Sequence, residues 1–282
     1  MTLPPAAAEF SWSAWHWHPS VIAGLALMSI LYAAGVGPLR HRFAWAEGVG
    51  RWRIGGFVAG VVVLWVALLS PLHELGDQYL LSAHMVQHLL LTLVAPPLLL
   101  LASPGWLLRP ALRSRSVLRA VRWITLPVVA FIVFNAVLVF WHVPFFYDLT
   151  LEERSVHITE HLMFVATAMV MWWPVLSPLP ELPRASYLVQ MAYLFLLPTL
   201  PSILGAVITF ADDVIYSWYA TAPRVWGISP HTDQQLGGII MWIPGGLVFL
   251  CTLIVVFLIW ATEDERQSRL PQSAPRERSG SI

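Results

Sequence analysis

The chain alternates long apolar runs with short polar segments, and seven of the runs reach membrane-spanning length. They lie at about 20–37, 54–70, 79–102, 123–141, 157–176, 187–209 and 237–260. Roughly 17 to 25 apolar residues suffice to cross a ~30 Å hydrocarbon core as an α-helix. The pattern therefore predicts an all-α polytopic membrane protein with seven transmembrane helices, forming one domain over 20–262. Residues 1–19 precede it as a periplasmic segment, and the polar, Pro/Ser-rich stretch 263–282 is expected to be a disordered cytoplasmic tail. Pro96, Pro97, Pro127, Pro198 and Pro201 predict kinks within the runs.

Arginine placement adds an orientation. All 16 basic residues are arginine, and the formal net charge is zero. Arg40, Arg42, Arg51 and Arg53 follow the first run, Arg109, Arg113, Arg115, Arg119 and Arg122 the third, and Arg184 the fifth. Arg266, Arg269, Arg276 and Arg278 lie in the tail, whereas the opposite side has only Arg154 and Arg224. Cytoplasmic loops carry the excess of basic residues, so the N-terminus is expected outside and the C-terminus in the cytoplasm. The start of the chain lacks the charged opening of a signal peptide, which leaves targeting to the first span. No basic patch lies outside the loops flanking the spans, which argues against a nucleic-acid partner. The composition, 57% hydrophobic and 11% charged, is that of a bilayer protein; soluble domains carry about a quarter charged residues. A single cysteine, Cys251, excludes a disulfide framework and any multi-thiolate metal site.

Against this apolar background the histidines stand out. His84 and His88 in "LLSAHMVQHLLL" share one helix face about 6 Å apart along the axis. "VHITEHLMF" repeats the spacing with His157 and His161, and His142 follows the fourth run where it emerges on the same side. By the arginine criterion all five lie towards the outer face, and only His41 is cytoplasmic. An imidazole in a span loses its hydration and needs a partner. One such histidine most often bonds a neighbouring helix, but two matched pairs and a fifth histidine predict a metal site. Imidazole suits copper, zinc and iron. The secondary candidates are Met85 as a soft ligand, Glu160 as a ligand or orienting group, and His73 and His231 as ligands or transfer residues. His16 and His18 lie among Trp12, Trp15 and Trp17, which read as an interfacial aromatic belt. Asp233, Gln234 and Gln235 are expected to cap the last helix, with Gly237 and Gly238 allowing close packing.

The stretches "SPLHELGDQYLLSAHMVQHLLLTLVAPPLLLLASP", "WHVPFFYDLTLEERSVHITEHLMFVATAMVMWWPVL" and "DQQLGGIIMWIPGG" closely resemble the seven-span CtaG family of cytochrome c oxidase assembly factors. The likeness runs from about residue 20 to residue 262. It implies a multi-pass bacterial plasma-membrane protein that supports maturation of haem–copper oxidase, with a role in copper supply. On matching positions it points to His84, His88, His142, His157 and His161. The expected cofactor is copper, and the expected partners are oxidase subunits, periplasmic copper chaperones and the lipid bilayer. Two alternatives remain at this stage. One is an intramembrane zinc hydrolase with Glu160, Asp148 or Asp77 as base. The other is a haem protein with axial imidazoles.

Overall fold

The computed structural model describes residues 10–13, 15 and 17–268. Of the described residues 79% are helical, and no strand occurs among them. In chain order the helices are α1 (Pro19–Arg42), α2 (Arg51–Leu69), α3 (Pro71–Gln78), α4 (Leu81–Ala102), α5 (Arg115–Ile124) and α6 (Pro127–Trp141). They continue as α7 (Pro144–Glu152), α8 (Arg154–Leu176), α9 (Tyr187–Phe210), α10 (Ser217–Thr221) and α11 (Pro230–Ser268). Short helical turns over Gly105–Leu108 and Arg109–Leu112 join α4 to α5.

Five of these helices, α1, α2, α4, α9 and α11, are long and apolar enough to cross a membrane. A sixth crossing results if α5 and α6, bent 71° apart at their junction, are taken together. The bend falls at Pro127, so the helix anticipated from residue 123 begins at Pro127 instead. α8 has 23 residues but lies outside the apolar set, because His157, Glu160 and His161 interrupt it. α11 is longer than anticipated at both ends, and its last turns reach into the segment expected to be disordered. Residues 269–282 of that tail, like residues 1–9 and His16, lie outside the described residues. Trp15 stacks on Trp65 and Trp12 on Trp226.

α4 is the axis of the bundle, packed against α2, α3, α8 and α11. In its most apolar stretch 61% is buried, against 11% for α1, so α4 is packed within the bundle where α1 lies on its outside. Pro96 and Pro97 interrupt its hydrogen bonding, and the helix widens into a π-helical turn over Leu90–Val94. The missing proline N–H leaves the Thr92 carbonyl without a donor, and the indole Nε1 of Trp172 in α8 donates to it at 3.0 Å. α11 lies close on α9: a Cβ on Gly238 would collide with the Thr209 hydroxyl and the Gly205 carbonyl oxygen, so only glycine fits there.

Candidate metal centre

The first turn of α4 is held from a distance. Asp233, at the start of α11, accepts from the backbone N–H of Leu81 (2.7 Å) and Ser82 (3.1 Å) and from the Ser82 hydroxyl (2.5 Å). This corrects the expectation that Asp233 caps its own helix. Ser229 does that, accepting from the Thr232 N–H at 3.1 Å. Gln234 likewise serves a loop: its Oε1 accepts from the Ile215 N–H (2.6 Å) and its Nε2 donates to the Asp213 carbonyl (3.0 Å). A buried carboxylate at an open helix N-terminus satisfies orphan N–H groups whichever helix it comes from.

So anchored, α4 presents His84 and His88 to α8, with their Nε2 atoms 2.8 Å apart. From α8, His157 and His161 bring their Nε2 atoms to 3.0 Å. The structure thus places the two pairs face to face: the His84 and His157 rings are 5.8 Å apart and the His88 and His161 rings 5.7 Å. His84, His88, His161 and Glu160 each offer one donor atom, all within 4.8 Å of one another, and all four residues are buried. Glu160 Oε1 lies 3.7 Å from His88 Nε2. Neither Glu160 oxygen makes a hydrogen bond within 3.5 Å among the described residues; the nearby Thr150 hydroxyl donates to the Tyr147 carbonyl at 2.7 Å. An unpartnered buried carboxyl among imidazoles is costly by itself, and it fits a group that binds a cation.

His157 belongs with a second set: His73 and Asp77 of α3 and His157 also bring donor atoms within 4.8 Å of one another. Asp77 is the functional candidate that sequence reasoning weighed only as a hydrolytic base. Its spacing from His73, four residues along a helix, carried the signal. Its place is fixed through α10. Asp148 of α7 accepts from the backbone N–H of Ser217 (3.2 Å) and from its hydroxyl (2.5 Å). The held helix then directs Trp218 Nε1 to the Asp77 carbonyl (2.8 Å) and the Tyr219 hydroxyl to the Gly76 carbonyl (2.6 Å). Gly76 in turn lies against the His84 backbone, where a Cβ would approach to 3.0 Å. Burial pushes the Asp77 carboxyl well above the usual carboxylate range.

The other candidates fall outside both sets. His142 donates from Nδ1 to the Leu138 carbonyl (2.7 Å), and its ring stands 6.3 Å from that of His88. Met85 and His142 line a small apolar cavity of about 40 Å³ beside His88, together with Met241. His231 donates to the Ala211 carbonyl at 3.0 Å and is not brought to the histidine groups. His18, half-buried, stacks edge-on to His73 with ring centroids 5.3 Å apart. Asp148 is engaged with the backbone of α10, so it is not positioned as a base beside the histidines.

A family description, cytochrome c oxidase caa3 assembly factor, matches residues 30–263. The chain is also similar to three uncharacterized mycobacterial proteins. It is 24% identical to ML1998 of Mycobacterium leprae and 25% identical to Mb0105 of Mycobacterium bovis and MT0111 of Mycobacterium tuberculosis. Each match covers 93% of this chain, which spans only 42% of the length of those relatives. No solved structure matches the chain.

Proposed function

The chain belongs to the cytochrome c oxidase caa3 assembly factors, and we propose that it serves that role by holding copper at His84, His88, His161 and Glu160 before the metal reaches haem–copper oxidase. The convergence of four buried donor atoms within 4.8 Å carries this reading. Three imidazoles with a carboxylate suit copper or zinc, and copper binds such donors most tightly of the divalent first-row ions. Haem fits less well. Its axial imidazoles need a macrocycle between them, whereas the His84, His88 and His161 rings pack at 4.3 to 6.4 Å. The role is one of binding and transfer rather than catalysis.

Adding α8 to the five apolar helices and the bent pair makes seven crossings of a bacterial plasma membrane. The arginine distribution puts the N-terminus outside and the C-terminus in the cytoplasm. The histidine groups then sit towards the outer face, accessible to copper from periplasmic chaperones and to immature oxidase subunits.

The test replaces His88 and His161 together by alanine in a strain that depends on the oxidase. Expected is a normal level of this protein with an oxidase that retains haem but is short of copper, partly restored by excess external copper. Fully copper-loaded oxidase in that strain would end the copper reading. Metal analysis of the purified protein separates copper from zinc.

A further inference from the structure

We infer that His73, Asp77 and His157 form a second metal position, through which an ion passes to the buried group of His84, His88, Glu160 and His161. The inference rests on the metal reading of that buried group and extends it to a two-position path for a divalent ion of the copper or zinc type. His73 Nε2 lies 3.4 Å from Asp77 Oδ2, and His157 Nδ1 lies 3.5 Å from the same oxygen. Donors around a tetrahedral ion with bonds of about 2.0–2.1 Å stand about 3.3 Å apart, so each imidazole nitrogen already stands near ligand spacing from the shared Asp77 oxygen.

Two residues face both positions. His157 turns Nδ1 to Asp77 and Nε2 to His161 Nε2, 3.0 Å away. Asp77 turns Oδ2 to His73 and His157 and Oδ1 towards His84 Nδ1 at 3.7 Å. An ion can therefore exchange one ligand at a time between neighbouring donors. A cavity of about 200 Å³ leads to this position, running from exposed Glu152 and Arg154 past His18 to His73, Asp77 and His157. The cavity also reaches His161 at the near edge of the buried group, whose His84, His88 and Glu160 do not line it.

Gln87, fully buried on α4, supplies the orienting partner. Its Nε2 donates to His73 Nδ1 at 2.9 Å, while its Oε1 has no hydrogen-bond partner among the described residues. Half a turn of that amide sets Oε1 to accept from a protonated Nδ1. That tautomer leaves the lone pair on Nε2, the atom facing Asp77. Ligating histidines are held in this way through their second ring nitrogen.

The test uses the full-length protein in detergent, equilibrated with Cu(II), freed of excess metal and analysed for copper per chain. The wild type should hold two ions, with electron paramagnetic resonance showing magnetic coupling between them. His73→Ala should hold one and lose the coupling, and its buried group should fill more slowly. His88→Ala combined with Glu160→Gln should also hold one, at the outer position. Gln87→Leu, which leaves all ligands in place, should weaken the outer ion by about 10-fold or more, and thermal unfolding checks that each variant is folded. One ion in both wild type and His73→Ala would overturn the second position while leaving the buried one intact. Two ions in the His88/Glu160 variant would overturn the buried position, and no copper in any chain would overturn both. Equal filling rates in His73→Ala and wild type would overturn the passage.

Discussion

Asp233 shows what a single residue does at this site without touching it. Its carboxylate satisfies two backbone N–H groups and a hydroxyl across 151 and 152 residues of sequence, fixing where α4 starts and where His84 and His88 point. Asp233→Ala is expected to lower stability by about 1–2 kcal/mol, the upper range for a lost cap, and to weaken copper binding. Asp233→Asn, which keeps one acceptor, should lose less; unfolding in detergent and copper titration check both. The sequence made the histidine pairs legible because i,i+4 spacing alone puts two side chains on one helix face. It did not make Asp233 legible, since local spacing says nothing of a partner so far along the chain. Asp77 lay between: its relation to His73 was readable, but its approach to His84 and His157 depends on α10 holding α3 in place.

The helices show the same division. Apolar runs located α1, α2, α4, α9 and α11, and prolines marked the breaks in α4 and before α6. The form of the break in α4 was not legible, because the donor that satisfies the freed Thr92 carbonyl, Trp172, comes from α8, 80 residues along the chain. Trp172→Phe keeps most of the ring but removes that donor, leaving a buried carbonyl unpaired at a cost of about 1–3 kcal/mol; a lowered melting temperature should report it. Glycines at the α9–α11 contact provide a sharper contrast. Gly238→Leu has no space against Thr209 and Gly205 and should destabilise the protein severely, whereas Gly246→Ala meets nothing within 4 Å and should be tolerated. Comparable melting temperatures for these two variants would contradict the close packing.

For the whole molecule, the proposed orientation is open to direct measurement. A phosphatase reporter that works only in the periplasm should be inactive when fused after Ser268 and active when placed between α6 and α7; the reverse pattern would invert the bundle. The all-helical class and membrane character were readable from apolar run length, but the burial of α4 at the centre was not, because an apolar helix faces lipid or protein with nearly the same composition. α8 carries a consequence for biogenesis. An acidic side chain costs on the order of 3 kcal/mol at the centre of an inserting helix; Glu160, in the first third of α8, costs less than that but comes with His157 and His161. Such a segment does not partition into lipid readily by itself; it is retained when a polar-faced neighbour is already present. Synthesis runs from the N-terminus, so α4 with His84 and His88 is available before α8 emerges, and the chemistry that equips the site also ties the entry of α8 into the bilayer to α4.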